Sequence, residues 1–236
     1  MNKRPISISW SGGKDSSYML WLLLSNKEYE VVELHTLVNT DTRRVGMHGV
    51  HERLISAQAE SIGIPLKILY LNSSGSNDEF EKAIRDYYSD LKSRDILNVG
   101  FGDIFLEDLK EYREKLLAEF DLTGVYPIWK SSTRELAQDF IRNGFRTIIC
   151  AANTEKFESD ITGREFSEEL VHAFDAAVDP CGENGEFHSF VFDGPIFSKP
   201  IRIDVGQRLD KSYDFHDSNG QSRKTFVRFR ELTLRP

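Results

Sequence analysis

Pro5-Ile6-Ser7-Ile8-Ser9-Trp10-Ser11-Gly12-Gly13-Lys14-Asp15-Ser16 is the stretch that decides the fold of this chain. Pro5 to Trp10 reads as a short β-like run that ends at a glycine turn. Behind the turn, Ser16 to Leu24 is almost continuously apolar, with Met19, Leu20, Trp21, Leu22, Leu23 and Leu24. A helix apolar on most of its faces is buried on most of them. An open α/β sheet binds ligands where such a turn lies, outside the carboxyl ends of its strands. Gly12 and Gly13 let the backbone approach an oxyanion closely. Amides at the start of the helix point at the anion, and the helix dipole adds to the attraction. Ser11 and Ser16 can donate hydroxyls, and Lys14 adds charge. A turn that only capped the helix would need neither the lysine nor the flanking serines. The pattern GxxxxGK[ST] of ordinary kinases and GTPases is absent.

Outward from this loop the alternation continues. Glu30 to Val38 reads as a second strand, Val50 to Ile62 as a helix and Pro65 to Leu71 as a third strand. Phe80, Ala83, Ile84, Tyr87, Tyr88 and Leu91 then recur at helical spacing. Ile96 to Phe101 reads as a strand, Leu106 to Phe120 as a helix, and Val125 to Trp129 as a fifth strand. Ser132 and Glu135 form a capping-box pattern for the next helix. Thr147 to Ala151 is a sixth strand. The alternation predicts an α/β fold, a doubly wound, mostly parallel sheet with helices on both faces. Continuous apolar strands fit a sheet buried on both sides. After about residue 155 the pattern changes. A helix around Glu165 to Phe174 precedes strand-like runs at Phe187 to Phe192, Ile196 to Ile203 and Thr225 to Leu234, with a polar turn at Asp214 to Lys224. The expected division is a nucleotide-binding α/β domain over residues 1–128 and a smaller C-terminal α+β substrate-binding domain over 129–236.

Bulk properties set limits on function. No run of about 18 apolar residues exists, so no transmembrane helix is expected. The apolar run after Lys3 and Arg4 is six residues, too short for a secretion signal, and the cytoplasm is the expected compartment. The formal charge is −8 with no basic stripe, which argues against a nucleic-acid partner. Cys150 and Cys181 form no CxxC or zinc spacing. Cys150 ends an apolar run and reads as a core thiol. Cys181 lies beside a candidate site, where it is either a core thiol or a reactive one.

Two further segments carry chemistry. Gly100-Phe101-Gly102-Asp103-Ile104 ends the fourth strand, on the loop's edge of the sheet. It is either a tight turn or a contact to nucleotide or substrate. Asp179-Pro180-Cys181-Gly182-Glu183-Asn184-Gly185-Glu186-Phe187-His188-Ser189 gathers carboxylates, an imidazole, an amide and glycines. It could be a metal site, an acid/base site or an acidic hairpin.

The hexapeptide Ser11 to Ser16 matches SGGxDS, the signature of PP-loop ATP pyrophosphatases. Three blocks together resemble the diphthine–ammonia ligase family of these enzymes, over nearly the whole chain. They are Ser11 to Ser16; Gly102-Asp103-Ile104 with Pro127-Ile128-Trp129; and Ile161-Thr162-Gly163-Arg164 through Asp179 to Glu183 and on to Phe192-Asp193-Gly194-Pro195. The resemblance implies ATP cleavage to AMP and pyrophosphate, with adenylation of a carboxylate and amidation by ammonia or another amine. It implies nucleotide binding by Ser11, Gly12, Gly13, Lys14, Asp15, Ser16 and Gly102. It implies catalytic roles for Lys14, Asp103, Glu186 and His188, and substrate binding by Gly163, Arg164, Glu183, Asn184, Glu186 and His188. Asp15 could organise Mg2+ or simply favour the helix dipole; the metal ligands stay open. Diphthamide-making members resemble Glu-Gly-Gly-Glu-Phe-Glu-Thr where this chain has Glu183-Asn184-Gly185-Glu186-Phe187-His188-Ser189. The asparagine–histidine form resembles a second branch, associated with vitamin B12 metabolism, so a different acceptor is expected. The partners expected are ATP, a carboxylate-bearing acceptor that is either a small molecule or a protein, ammonia and, in a homodimer, a second copy. A non-enzymatic ATP sensor and a PP-loop tRNA-modifying enzyme are the alternatives.

Overall fold

The computed structural model describes residues 3–72, 77–216 and 222–235. The chain forms β1 (Arg4–Ser9), α1 (Lys14–Ser25), β2 (Tyr29–Asn39), β3 (Arg44–Val45), α2 (Glu52–Ile62), β4 (Leu66–Leu71), α3 (Asn77–Ser93), β5 (Asn98–Gly100), α4 (Glu107–Ala118) and β6 (Thr123–Val125). It continues through α5 (Thr133–Arg142), β7 (Arg146–Asn153), α6 (Glu168–His172), β8 (Phe187–Asp193), β9 (Ile203–His216) and β10 (Ser222–Leu234).

The first sheet holds β1 to β6. β2 pairs in parallel with β1 and β4, and β5 lies in parallel between β1 and β6. β3 pairs antiparallel with Val38 and Asn39 of β2. Those residues already have β4 on one edge, so β3 takes the edge that β1 leaves when it ends at Ser9. Alternation along β1 sorts the two faces. Ile6 and Ile8 join Met19, Leu20 and Leu23 of α1 and Leu54, Ile55 and Ala59 of α2 in the main core. On the other face, α3 and α4 cover Leu69, Val99 and Phe101 with Ile84, Tyr87, Leu91, Leu116 and Leu117. The sheet is therefore doubly wound, as the alternation predicted.

Ser7 points to that second face and is buried there. Its hydroxyl lies 2.9 Å from His35 Nδ1 and 2.7 Å from the Tyr87 hydroxyl. Tyr87 donates to Glu33 at 2.6 Å, and Arg94 grips Glu33 at 2.7 and 2.9 Å. Burial pushes His35 down to about 3, so it is neutral. Ser7, His35, Tyr87, Glu33 and Arg94 thus form one connected series, as a buried polar network requires.

The second sheet is antiparallel, in the order β8-β7-β10-β9. Here four expectations change. The sixth strand, Thr147 to Ala151, forms as β7 but belongs to this sheet. An apolar run buried on both faces reads alike in either sheet type. The fifth strand runs over Thr123–Val125 and so stops at the first residue of its expected span of Val125 to Trp129. Pro127 has no N–H to pair, and Trp129 N closes a turn on Tyr126 O. Of the run expected from Ile196 to Ile203, only Ile203 is in a strand, as the first residue of β9. The rest follows Pro195, is interrupted by Pro200, and Ser198 N bonds Ser61 O instead. The Glu165 to Phe174 helix contracts to α6, started by Ser167, whose Oγ accepts from Leu170 N. The tip of the polar turn expected at Asp214 to Lys224 lies outside the described residues, between β9 and β10. The N-cap half of the capping-box pattern on α5 forms, with Ser132 Oγ accepting from Glu135 N. No helix among the described residues is long and apolar enough to cross a membrane.

Candidate active site

The first sheet brings the loop after β1 and the residues after β5 to one edge. Gly102 is what allows them to touch. A Cβ there would stand 3.0 Å from the Asp15 carbonyl carbon and from Ser16 N. The second sheet closes over the loop from the other side. Ser189 Oγ accepts from Lys14 N at 3.1 Å, and Val191 N donates to Gly12 O at 2.9 Å. Gly12 takes a left-handed φ of 78°. A Cβ on Gly13 would meet the His48 ring at 2.7 Å. Gln58 reaches up from α2 and donates to Gly12 O and Val191 O at 3.0 and 2.6 Å. These contacts enclose a cleft of about 380 Å³.

The cleft is rich in buried charge. Lys14 has only 4% of its side chain exposed, and its ammonium lies 2.5 Å from Asp15 Oδ1. Burial works against its charge, but the charge and hydrogen bond of Asp15, with the nearby Glu183, outweigh burial and its pKa is raised. Lys14 is thus a fixed cation. Asp103 is buried and its pKa is raised by that burial, though Arg113 Nη1 donates to it at 2.7 Å. Arg113 in turn lies over the Phe101 ring, 4.5 Å from its centre. Glu183 accepts from Ile104 N at 2.8 Å, and burial pushes its carboxyl up to about 7. That contact ties the second sheet's entry loop to the end of β5.

Two imidazoles face each other over the loop. The rings of His48 and His188 are 4.8 Å apart, centre to centre. His48 Nδ1 lies 3.1 Å from Ser189 O, which fixes that nitrogen as a donor. Burial holds both histidines below their ordinary pKa, with each other and Lys14 adding repulsion at His188. Both are neutral near pH 7 and can accept a proton.

The expected residues fall into two groups. Ser11, Lys14, Asp15, Ser16, Gly102, Asp103, Glu183 and His188 line the cleft. Gly12 and Gly13 build the loop beneath it. Glu186 does not line the cleft, contrary to its expected catalytic role. It is buried, and its oxygens accept from Asp179 N, Asn184 N and Asn184 Nδ2 at 3.0–3.1 Å. It therefore sets the shape of the 179–186 loop, in which Asn184 is exposed and does not line the cleft. Gly163 lies against Val205 and Arg230, and Arg164 lines a different cavity of about 670 Å³ that shares no lining residue with the cleft. Cys181 is buried, donates to Thr133 O at 3.2 Å and has its thiol pushed up to about 12, so it is not a thiolate. Among the described residues, no group of three or more His, Cys, Asp or Glu is placed to hold a metal ion. Sequence reading missed His48, Arg113 and Met47. His48 follows a two-residue strand and no local pattern marks it. Arg113 could have been sought on the polar side of the helix after Asp103.

The family model for the diphthamide synthase N-terminal domain matches residues 4–123, and that for its C-terminal domain matches residues 132–223. The diphthine–ammonia ligase of Bos taurus is 24% identical over 95% of this chain and 90% of its own length. That of Danio rerio is 24% identical over 94% of this chain and 93% of its own. Among solved structures, the chain is similar to a predicted subunit of tRNA methyltransferase from Methanocaldococcus jannaschii, at 14% identity and a TM-score of 0.41, over 66% of this chain and 82% of that one. Both halves match in the same order as in the family, and the phosphate loop lies inside the first of them. The chain belongs to the diphthamide synthase family.

Proposed function

We propose that this chain is an ATP-dependent ligase that activates a carboxylate and joins it to ammonia. The names of its relatives support the class of reaction. The observation that carries it is Lys14, a buried cation at a glycine loop. A substrate carboxylate oxygen attacks the α-phosphorus of ATP. The α–β phosphoanhydride bond breaks, and its electron pair leaves on pyrophosphate. Lys14 and the loop's hydroxyls stabilise the charge that develops there. The nitrogen lone pair of ammonia then attacks the acyl carbon and AMP leaves. The nitrogen sheds a proton in that step, and neutral His188 is the group proposed to accept it. Residues 1–128 would bind the nucleotide and residues 129–236 the acceptor.

Magnesium fits this cleft as ATP's companion. It favours one or two carboxylates plus phosphate oxygens over an all-protein cage. Asp15 and Asp103 are the carboxylates to hand, each already facing a cation. When bound it would neutralise phosphate charge. Glu186 acts as a positioning residue, through the loop that carries Glu183. His188, where diphthamide-making relatives resemble a glutamate, removes a negative charge from the cleft wall. That favours an acceptor of different charge.

The test is Lys14→Ala, with AMP and pyrophosphate as the readout. AMP formation is expected to fall by about 100-fold or more, with the far-ultraviolet spectrum and the cooperative melt retained. Full activity in the folded variant would sink the assignment.

A further inference from the structure

A second cavity of about 430 Å³ adjoins the cleft, and Met47 lines both. The two lie along one face of the second sheet. His188 pairs with Ala151, Ala151 with Phe229, and Phe229 with Leu209. Directly paired residues on neighbouring strands project to the same face. A single row of side chains therefore runs from His188 in the cleft to Leu209 in the wall of the second cavity. Met47 packs on this row with Ala151 and Phe229.

The wall between the two spaces is built. Gly49 lies on the Phe229 ring with a left-handed φ of 64°, and a Cβ there would come within 2.4 Å of the ring. Arg44 donates to Gly49 O at 2.7 Å and to both Glu231 oxygens at 2.8 Å. These contacts pin the 44–49 turn onto β10. The charges lining the cavity are mostly answered. Glu231 neutralises Arg44, and Asp160 takes Arg230 at 3.0 Å. Lys211 has no carboxylate partner among the described residues, and its ammonium lies 5.8 Å from the Phe229 ring centre. The cavity thus offers an aromatic and aliphatic floor, with Lys211 the lining cation that meets no carboxylate among the described residues.

We propose that this cavity holds the body of the acceptor, a molecule with a planar or aliphatic middle and a second negative group that meets Lys211. Its reacting carboxylate passes Met47 into the cleft. This rests on the ligase reading above. The larger cavity beside Arg164 has no such continuity, since it shares no lining residue with the cleft.

Gly46 provides a clean test. It lines the cavity, and a Cβ there would meet nothing within 4 Å. Gly46→Trp projects into open space, and Lys211→Glu reverses the unanswered charge. The binding probe is 1-anilinonaphthalene-8-sulfonate, a planar apolar body with one fixed negative charge. It is titrated into the full chain by fluorescence. In parallel, AMP formation is followed with ATP, ammonium and a small-molecule pool from a cell extract. Each variant is expected to weaken the probe and to raise the half-saturating pool concentration by about tenfold, while ATP affinity stays within about twofold. The probe should compete with the pool and not with ATP. Unchanged probe affinity in Gly46→Trp, or competition with ATP, overturns the proposal. Normal AMP formation at unchanged half-saturation in both variants overturns it too, and leaves the ligase reading standing. If no pool yields AMP from the unmodified protein, the small-molecule acceptor assigned to this cavity is overturned, while the ligase reading stands with a protein as its acceptor.

Discussion

Glu183 is half-buried where the second sheet meets the end of β5, and its raised pKa has a measurable cost. Burial lifts the carboxyl from 4.5 to about 7. Between those values the folded chain holds more protons here than the unfolded chain does. Stability therefore falls as pH rises through that window, and the penalty is complete above about pH 7. Glu183→Gln keeps an oxygen for Ile104 N and carries no charge. Its stability advantage over the parent should be small at pH 5 and grow to roughly 1–3 kcal/mol at pH 8, read from denaturant melts at the two values. An advantage that does not change with pH would refute the burial argument. At this scale the phosphate loop was legible because its chemistry is local. Lys14, Ser11 and Ser16 act within six consecutive residues. His48 and Arg113 were not legible, because tertiary packing alone brings them to the cleft. Glu186 misled for the opposite reason. A carboxylate in an acidic glycine segment looks reactive, but folding gives its oxygens to the backbone amides of Asp179 and Asn184 and to the Asn184 side chain.

Among elements, the join between β5 and the phosphate loop is the most demanding. Gly102→Ala would put a methyl 3.0 Å from backbone atoms of Asp15 and Ser16. Backbone yields less than a side-chain tip, so the loop must shift by a few tenths of an ångström. ATP affinity should weaken by about tenfold, near 1.4 kcal/mol, with little change in the melt. Calorimetric titration with a non-hydrolysable ATP analogue would measure it, and an unchanged affinity would show that the contact does not shape the site. The parallel strands and their helices were readable from apolar runs and helical spacing. β7 was readable as a strand but not as a member of another sheet, since register and direction leave no mark in an apolar run. β9 escaped notice altogether. Its sequence is largely polar, residues 204–212 are exposed, and pairing with β10 holds it. Strand preference of that kind comes from the partner more than from the residue.

For the molecule as a whole, Gln58 joins the two sheets at the cleft. It is fully buried, donates to Gly12 O and Val191 O, and accepts from Trp10 Nε1 at 3.1 Å. Gln58→Ala would strand the indole N–H and free the loop from β8. Stability should fall by roughly 2–4 kcal/mol, and ATP affinity should fall with it. Melts followed by circular dichroism and by tryptophan fluorescence should stay coincident if the sheets unfold together. A loss below about 0.5 kcal/mol would show the junction to be carried by other contacts. The central claim concerns where ATP is cut, and phosphorus NMR reads that directly. The protein would be incubated with ATP, magnesium, ammonium and a fractionated small-molecule extract. AMP and pyrophosphate in equal amounts, dependent on one fraction and on ammonium, are the expected products. ADP and inorganic phosphate in their place would contradict cleavage between the α and β phosphates, and the ligase mechanism with it.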